Sequence, residues 1–300
     1  MAVHSGSDFT PAALDDRRRR PITRRQVGRT GCTMSVVALV GLGVLTGLGA
    51  GLLAGLVGIG GGVVIVPAVY YGLTSAGALP NDAAHVAVAT SLASIVPASV
   101  VSFARHLKSG HADLRFLKEW GPGIVLGVAA AQIVAPHLDG QVLETVFAVL
   151  CLVFAYRFAF PDRFAPVLEA PPGGFFRHAA SMGIGACSGL AGVGGGILTN
   201  VVMTLSGLPM HKSVGRAAAT GIVVSVPATL VAAMATHSAN PTQLGSIDLA
   251  IWVCIAPAQA AAAWLGASIA ARSSALLLSR VFAIVLMATG LAMLRSAVWP

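Results

Sequence analysis

Charge is what this chain has least of: 10% of its residues are Asp, Glu, Lys or Arg and 56% are hydrophobic, too few polar groups to cover a soluble globule of 300 residues. No charged residue lies between Arg29 and Asp82, Asp82 and Arg105, Glu119 and Asp139, Arg177 and Lys212, Arg216 and Asp248, or Asp248 and Arg272. A helix of roughly 20 apolar residues crosses a bilayer core roughly 30 Å thick, so most of these gaps suit a membrane span. The gaps Glu144 to Arg157 and Arg280 to Arg295 are shorter, and their arginines have to snorkel toward the headgroups. Alternation of polar and apolar residues is missing as well, which excludes the wall of a β-barrel.

Cysteine is also scarce. Cys32, Cys151, Cys187 and Cys254 stand alone among apolar residues, with no CxxC and no Cys/His spacing, so neither a disulfide framework nor a zinc site is indicated and no cofactor is implied. The net charge of +8 does not point to nucleic acid, because Arg17, Arg18, Arg19, Arg20, Arg24, Arg25 and Arg29 crowd into one short tail. Such a tail reads as a cytoplasmic anchor beside a first span. Thr23-Arg24-Arg25-Gln26 also fits a twin-arginine export signal, although the many later apolar blocks already account for a basic flank. Residues 1–16 read as disordered.

Glycine, by contrast, is plentiful, and it repeats. Gly58-Ile59-Gly60-Gly61-Gly62 recurs as Gly192-Val193-Gly194-Gly195-Gly196, an offset of 192 − 58 = 134. Further matches follow in the same order: Ala87-Val88-Ala89-Thr90-Ser91 with Ala217-Ala218-Ala219-Thr220-Gly221, Gly110 to Leu114 with Gly245 to Leu249, and Val146-Phe147-Ala148-Val149 with Val281-Phe282-Ala283-Ile284. The chain is thus expected to comprise a tail at 1–33, a transmembrane repeat at 34–160, a cytoplasmic linker at 161–177 and a second transmembrane repeat at 178–300. The expected fold is all-α: a polytopic membrane protein of about eight or nine helical segments with glycine-broken helices.

Charge also suggests orientation. With the tail cytoplasmic, the Thr74–Asn81 loop, which lacks Lys and Arg, falls outside, and Arg105–Lys118, with four basic residues, falls inside. Equivalent loops of the two halves carry opposite bias: 105–118 is basic and 237–247 is not, while 136–141 lacks basic residues and 272–280 has two. That pattern favours inverted-topology repeats. It also asks the stretch from Arg177 to Lys212 to return to its own side as a hairpin folded at its glycines.

Three consecutive glycines cost roughly 1 kcal/mol each relative to alanine inside a helix, so each GxGGG is expected to break its helix. In hydrocarbon the freed backbone groups need protein or a water-filled cavity around them. The half-helix that follows offers free N–H donors and partial positive charge, which suits an anion. The competing reading is close helix packing through small residues. Gly60, Gly61, Gly62, Gly194, Gly195 and Gly196 are therefore candidate substrate-binding residues, with Thr90, Ser91, Thr199, Asn200 and Thr220 as further donors. Asn200 either ties two helices together or touches substrate; the hydroxyls near Pro97 and Pro227 also fit bonding to their own backbone. Asp113 and Asp248 precede spans at equivalent positions and suit N-capping or, alternatively, proton relay. His85 and Arg216 start equivalent helices, and Arg216 could draw an anion to the mouth of the site. His106, His111, His211 and His237 lie at the ends of apolar blocks and read as interfacial.

At Gly51-Leu52-Leu53-Ala54-Gly55-Leu56-Val57-Gly58-Ile59-Gly60-Gly61-Gly62, Pro67, Thr90-Ser91 and Gly189-Leu190-Ala191-Gly192-Val193-Gly194-Gly195-Gly196 the chain resembles the TauE/SafE family of sulfite exporters, over about 35–296. The resemblance implies a multi-pass inner-membrane permease of two repeats that carries a small anion such as sulfite or an organosulfonate and is driven by a proton or ion gradient. Gly221 stands where the family pattern places a serine in the second Thr-Ser pair, so the halves need not contribute equally. The expected partners are a small anion and the lipid bilayer; a homo-oligomer is left open. Two rivals remain. One is an anion channel. The other is an intramembrane protease, prompted by Ser188 in Ala186-Cys187-Ser188-Gly189 and a downstream histidine.

Overall fold

The computed structural model describes residues 36–58, 60–110, 112–160, 171–235, 242–270 and 273–298. The basic tail, Cys32, His111, His237 and most of the linker lie outside the described residues, as do the side chain of His211 and Ile59 of the first glycine motif. The described residues form ten helices: α1 (Val36–Val57), α2 (Gly62–Ser75), α3 (Pro80–Lys108), α4 (Leu114–Val134), α5 (Gly140–Ala159), α6 (Gly174–Ala191), α7 (Gly196–Leu205), α8 (Met210–Met234), α9 (Leu249–Ala270) and α10 (Ala275–Val298). A short antiparallel hairpin, β1 (Gln243–Leu244) and β2 (Ile247–Asp248), precedes α9. Six of the helices, α1, α3, α5, α8, α9 and α10, are long and apolar enough to cross a membrane. The protein is an all-α polytopic membrane protein. The tally of ten rather than eight or nine arises because α2 and α7 begin anew after the glycines and count as helices of their own.

Both glycine motifs interrupt the helix. Gly58, Gly60 and Gly61 have φ of 73°, 83° and 79°, and Gly192 and Gly195 have φ of 69° and 74°. An L side chain rarely adopts this left-handed region, so only glycine lets the chain leave α1 or α6 and start a new helix within four residues. Other starts use other chemistry. Pro80 sits in the first turn of α3, where its missing N–H costs nothing. Asp113 Oδ1 accepts from Arg115 N at 2.8 Å ahead of α4, and Asp248 Oδ1 accepts from Ile251 N at 3.1 Å ahead of α9.

The helices pair so that exchanging α1–α5 for α6–α10 preserves the main pairings. Helix α1 lies on α9 as α6 lies on α4; α2 packs on α3 as α7 packs on α8; α3 meets α8, and α5 meets α10. Equivalent helices run in opposite directions. Gln141 at the start of α5 bonds Ala297 O at the end of α10, whereas Ser279 at the start of α10 bonds Phe158 O at the end of α5.

Between lipid-bathed helices, association depends on close van der Waals packing and interhelical hydrogen bonds averaging about 0.6 kcal/mol, not on the hydrophobic effect. The glycines outside the breaks serve that packing. A methyl group at Gly51 would collide with the Gln259 carbonyl, and one at Gly127 with the Met182 carbonyl, so α1 seats against α9 and α4 against α6 with backbones nearly touching. The α5–α10 seam is filled differently, by large side chains. Phe147, Phe282 and Leu286 are fully buried there, and the rings of Phe158 and Phe282 meet edge to face at 4.9 Å.

Two faces can be told apart by their contacts. On one, Asn81 Oδ1 accepts from Gly140 N at 2.6 Å, His85 Nε2 lies 3.2 Å from Ala135 O, and β2 reaches α3 through Asp248 N to Thr90 Oγ1 at 3.0 Å. On the other, Arg177 pairs with Glu119 at 3.0 Å, Arg216 lies 5.5 Å over the Phe116 ring, and Arg105 lies 5.5 Å over the Trp264 ring. Helix α1 runs parallel to α9, with Gly43 against Cys254 and Gly55 against Ala263 and Ala267, so α1 starts on the first face. This corrects one pairing of expectations. A cytoplasmic N-terminus and a cytoplasmic 105–118 loop would put the start of α1 and that loop on one side, and they stand on opposite faces.

Candidate functional site

The two breaks meet at the middle of the molecule. A methyl group on Gly60 would lie 3.5 Å from Gly194 Cα, and one on Gly62 would collide with the Gly192 carbonyl. Three carbonyls at the breaks are each bonded by a side chain from another helix. Ser91 Oγ of α3 donates to Gly192 O at 2.9 Å, Asn200 Nδ2 of α7 to Val57 O at 2.7 Å, and Gln259 Nε2 of α9 to Gly60 O at 2.5 Å. Asn200 is held from its other side by Ser213 Oγ, which donates to Oδ1 at 2.7 Å. The Asn200 amide thus ties α7 to the end of α1. Thr199 Oγ1 donates to Thr220 Oγ1 at 2.9 Å, and Thr220 donates to Arg216 O at 3.1 Å.

Not every polar group there is used. Ser99 Oγ, Ser188 Oγ, Ser225 Oγ and Gln259 Oε1 are buried without a hydrogen-bond partner. A methyl on Gly195 would sit 3.4 Å from Ser188 Oγ, and one on Gly221 would strike Ser99 Oγ while lying 3.6 Å from Gly194 O, so two of these hydroxyls border the second break. The first turns of α2 and α7 add amide N–H groups that a helix cannot satisfy from within. Free donors and half-helix dipoles, with no carboxylate beside them among the described residues, form a setting suited to negative charge.

A cavity of about 660 Å³ reaches inward from the first face, lined by Asn81, Asp82, His85, Gln132, Gln243 and Asp248 among others. Val88, Ala89 and Leu92 also line it, and Val88 packs on Gly192, so one layer of side chains separates the cavity from the second break. His85 stays on that wall, with Nδ1 2.8 Å from Asn81 O. Thr90 bonds β2 rather than either break, and Ser94 Oγ donates to Thr90 O at 2.9 Å, bonding its own helix. The structure therefore gathers Gly60, Gly61, Gly62, Gly194, Gly195, Gly196, Ser91, Thr199, Asn200 and Thr220 around the two breaks. It leaves His85 and Asp248 at the cavity, Thr90 buried against β2, and Asp113 and Arg216 near the opposite face. Arg216 is half-buried there, its Nη1 3.4 Å from Met203 Sδ.

The sulfite exporter TauE/SafE family model matches residues 42–293. The chain belongs to the TauE/SafE family. It is 30% identical over 183 residues to a probable membrane transporter protein of Haemophilus influenzae, covering 61% of this chain and 69% of that one. It is 26% identical over 194 residues to the probable membrane transporter protein YunE of Bacillus subtilis, covering 57% and 68%. No solved structure matches. The protein is a multi-pass membrane transporter.

For this TauE/SafE chain the structure adds residues that the sequence reading passed over. Gln259 is the one amide in the charge-free stretch from Asp248 to Arg272, and that isolation was the available signal. Its counterpart at 259 − 135 = 124 is Ile124, so only the first break receives an amide from this position. Ser99 and Thr229 are equivalents at an offset of 130, and both hydroxyls are buried without partners. The Ser188 hydroxyl has no hydrogen-bond partner, so no nucleophile and base are paired there.

Proposed function

We propose that this transporter carries a small oxyanion or organosulfonate, sulfite among the candidates, by alternating access around the two glycine breaks. The observation that carries the reading is the meeting of Gly60 with Gly194 beside the unpartnered hydroxyls of Ser99 and Ser188. Hydroxyls and amide N–H groups without neighbouring lysine or arginine hold an anion firmly enough to select it and loosely enough to release it. Antiparallel equivalent helices around a central site suit the rocking of one half against the other. The basic face of Arg105, Lys108 and Arg216 draws anions in, and a cavity bordered by Asp82 and Asp248 discourages their return. With the basic face cytoplasmic, that polarity favours export.

The test is reconstitution of the full chain in liposomes with radiolabelled sulfite, sulfate and taurine, with and without an imposed proton gradient. Saturable flux of one anion, abolished by Gly195→Leu without loss of membrane insertion, is the expected result. Wild-type flux in that variant overturns the site, and unitary currents without saturation replace the transporter mechanism with a channel.

A further inference from the structure

Away from the breaks, an acidic group sits where lipid-embedded proteins rarely place one. Glu144 lies in the second turn of α5, a membrane-length helix, and is 3% exposed. Its Oε2 is buried without a hydrogen-bond partner. The hydroxyls of Tyr70 on α2 and Ser296 on α10 face the carboxyl, and Ser296 Oγ donates to Tyr70 Oη at 3.1 Å. Beyond them stand Tyr71, which donates to Ala292 O at 2.5 Å, and the exposed Arg295. From α3 the titratable groups at this end are Asp82 and His85, on the cavity wall; from α6, Arg177 and His178 start the helix at the opposite face; and on α5 itself Asp139 precedes the first turn, with Arg157 at the far end. An ionised carboxylate in such a seam is costly unless paired or hydrated, and intramembrane acids of this kind serve ion pathways and proton relays.

We infer that Glu144 is the proton-carrying group of this transporter, protonated while α2, α5 and α10 are packed and ionised when the seam opens to water. This rests on the transport reading above. The seam borders the cavity: Leu143, next to Glu144, and Leu73, three residues beyond Tyr70, both line it, so opening the seam at this point would admit cavity water to the carboxyl. The anion site and the acid share one helix. Helix α2 starts at Gly62 in the first break and carries Tyr70 about 12 Å along, at about 1.5 Å per residue. Reorientation of α2 when an anion occupies its N-terminus shifts the Tyr70 hydroxyl against Glu144. In the reverse direction, loss of the proton demands water around the carboxylate and loosens α2. The proton moves between the Glu144 carboxyl and cavity water, and no other bond is made or broken.

The experiment uses the full chain in liposomes, with radiolabelled sulfite, sulfate and taurine as probes. Glu144→Gln keeps the shape and fixes a neutral group. It should abolish accumulation driven by a pH gradient yet keep exchange of labelled for unlabelled anion. Accumulation equal to wild type overturns the inference and leaves the transporter reading intact. Absence of flux for all three anions in the wild type removes the transport reading for those anions, and infrared spectroscopy of the purified protein then decides on Glu144. A carboxylic acid band that titrates with pH, vanishes in Glu144→Gln and changes its midpoint in Tyr70→Phe is expected; a spectrum identical in wild type and Glu144→Gln overturns the proton site. Retention of a single size-exclusion peak by Tyr70→Phe separates these outcomes from misfolding.

Discussion

An amide inside a lipid-bound helix must find a partner, and Gln259 finds the Gly60 carbonyl, 199 positions away in the chain. Gln259→Leu removes that donor and leaves a buried carbonyl unpaired, a loss of about 1–3 kcal/mol. The expected outcome is a lower melting temperature in detergent together with slowed anion flux; a variant as stable as wild type would show that water replaces the amide. Gly195→Leu acts by shape instead. Its Cβ would meet Thr220 Cγ2 at 2.6 Å and Val224 Cγ2 at 2.9 Å, on a backbone with φ of 74°. The first turn of α7 has to shift, and flux should vanish while the protein still reaches the membrane. These residues were unequally legible. The glycine motifs announce themselves because a local backbone demand is written in local sequence. The Gln259 contact is decided by a partner in the other half of the chain, and no pattern along α9 encodes it. Asn200 was visibly expensive, but only geometry shows its amide tying α7 to Val57.

Among elements, the caps and the seams give separate tests. Asp248 lines the cavity and also caps α9, and the two roles respond differently to substitution. Asp248→Asn preserves an N-cap acceptor and should leave both stability and the pH profile of flux near wild type, whereas Asp248→Ala should cost about 1 kcal/mol through the lost cap. A pH profile flattened by Asp248→Asn would instead move proton handling from Glu144 to Asp248. Helix seams are stricter. Gly127→Val places side-chain bulk against the Met182 carbonyl and should part α4 from α6, which shows as reduced yield of folded protein by size exclusion. The spans and both breaks could be read from charge gaps and self-similarity. The hairpin ahead of α9 and the choice of α1–α9 and α4–α6 as close pairs could not: the helix pairs are set by where a glycine on one half faces a backbone on the other, and the hairpin by contacts of Gly245 and Ser246 with Ala232 and of Asp248 with Thr90.

For the whole molecule, orientation is the property that charge and topology constrain jointly. Helix α1 starts on the face that holds Asp82, His85 and Asp248, opposite the face of Arg105, Lys108 and Arg216. The positive-inside rule weights basic residues close to the spans, and the second face carries Arg105, Lys108, Arg115, Lys118, Arg157, Arg177, Lys212, Arg216 and Arg280 against Arg295 and the seven tail arginines that precede α1. That face should therefore be cytoplasmic, with α1 descending from the outer side. Single cysteines in a background with Cys32, Cys151, Cys187 and Cys254 replaced by Ala or Ser give the measurement. Ser109→Cys, in the turn after α3, should react with a membrane-impermeant maleimide only after cells are broken. Ala76→Cys, in the turn between α2 and α3, should react on intact cells. The reversed pattern would place the acidic cavity in the cytoplasm, and the electrostatic polarity that favours export would then favour import, with the paired breaks unchanged at the centre.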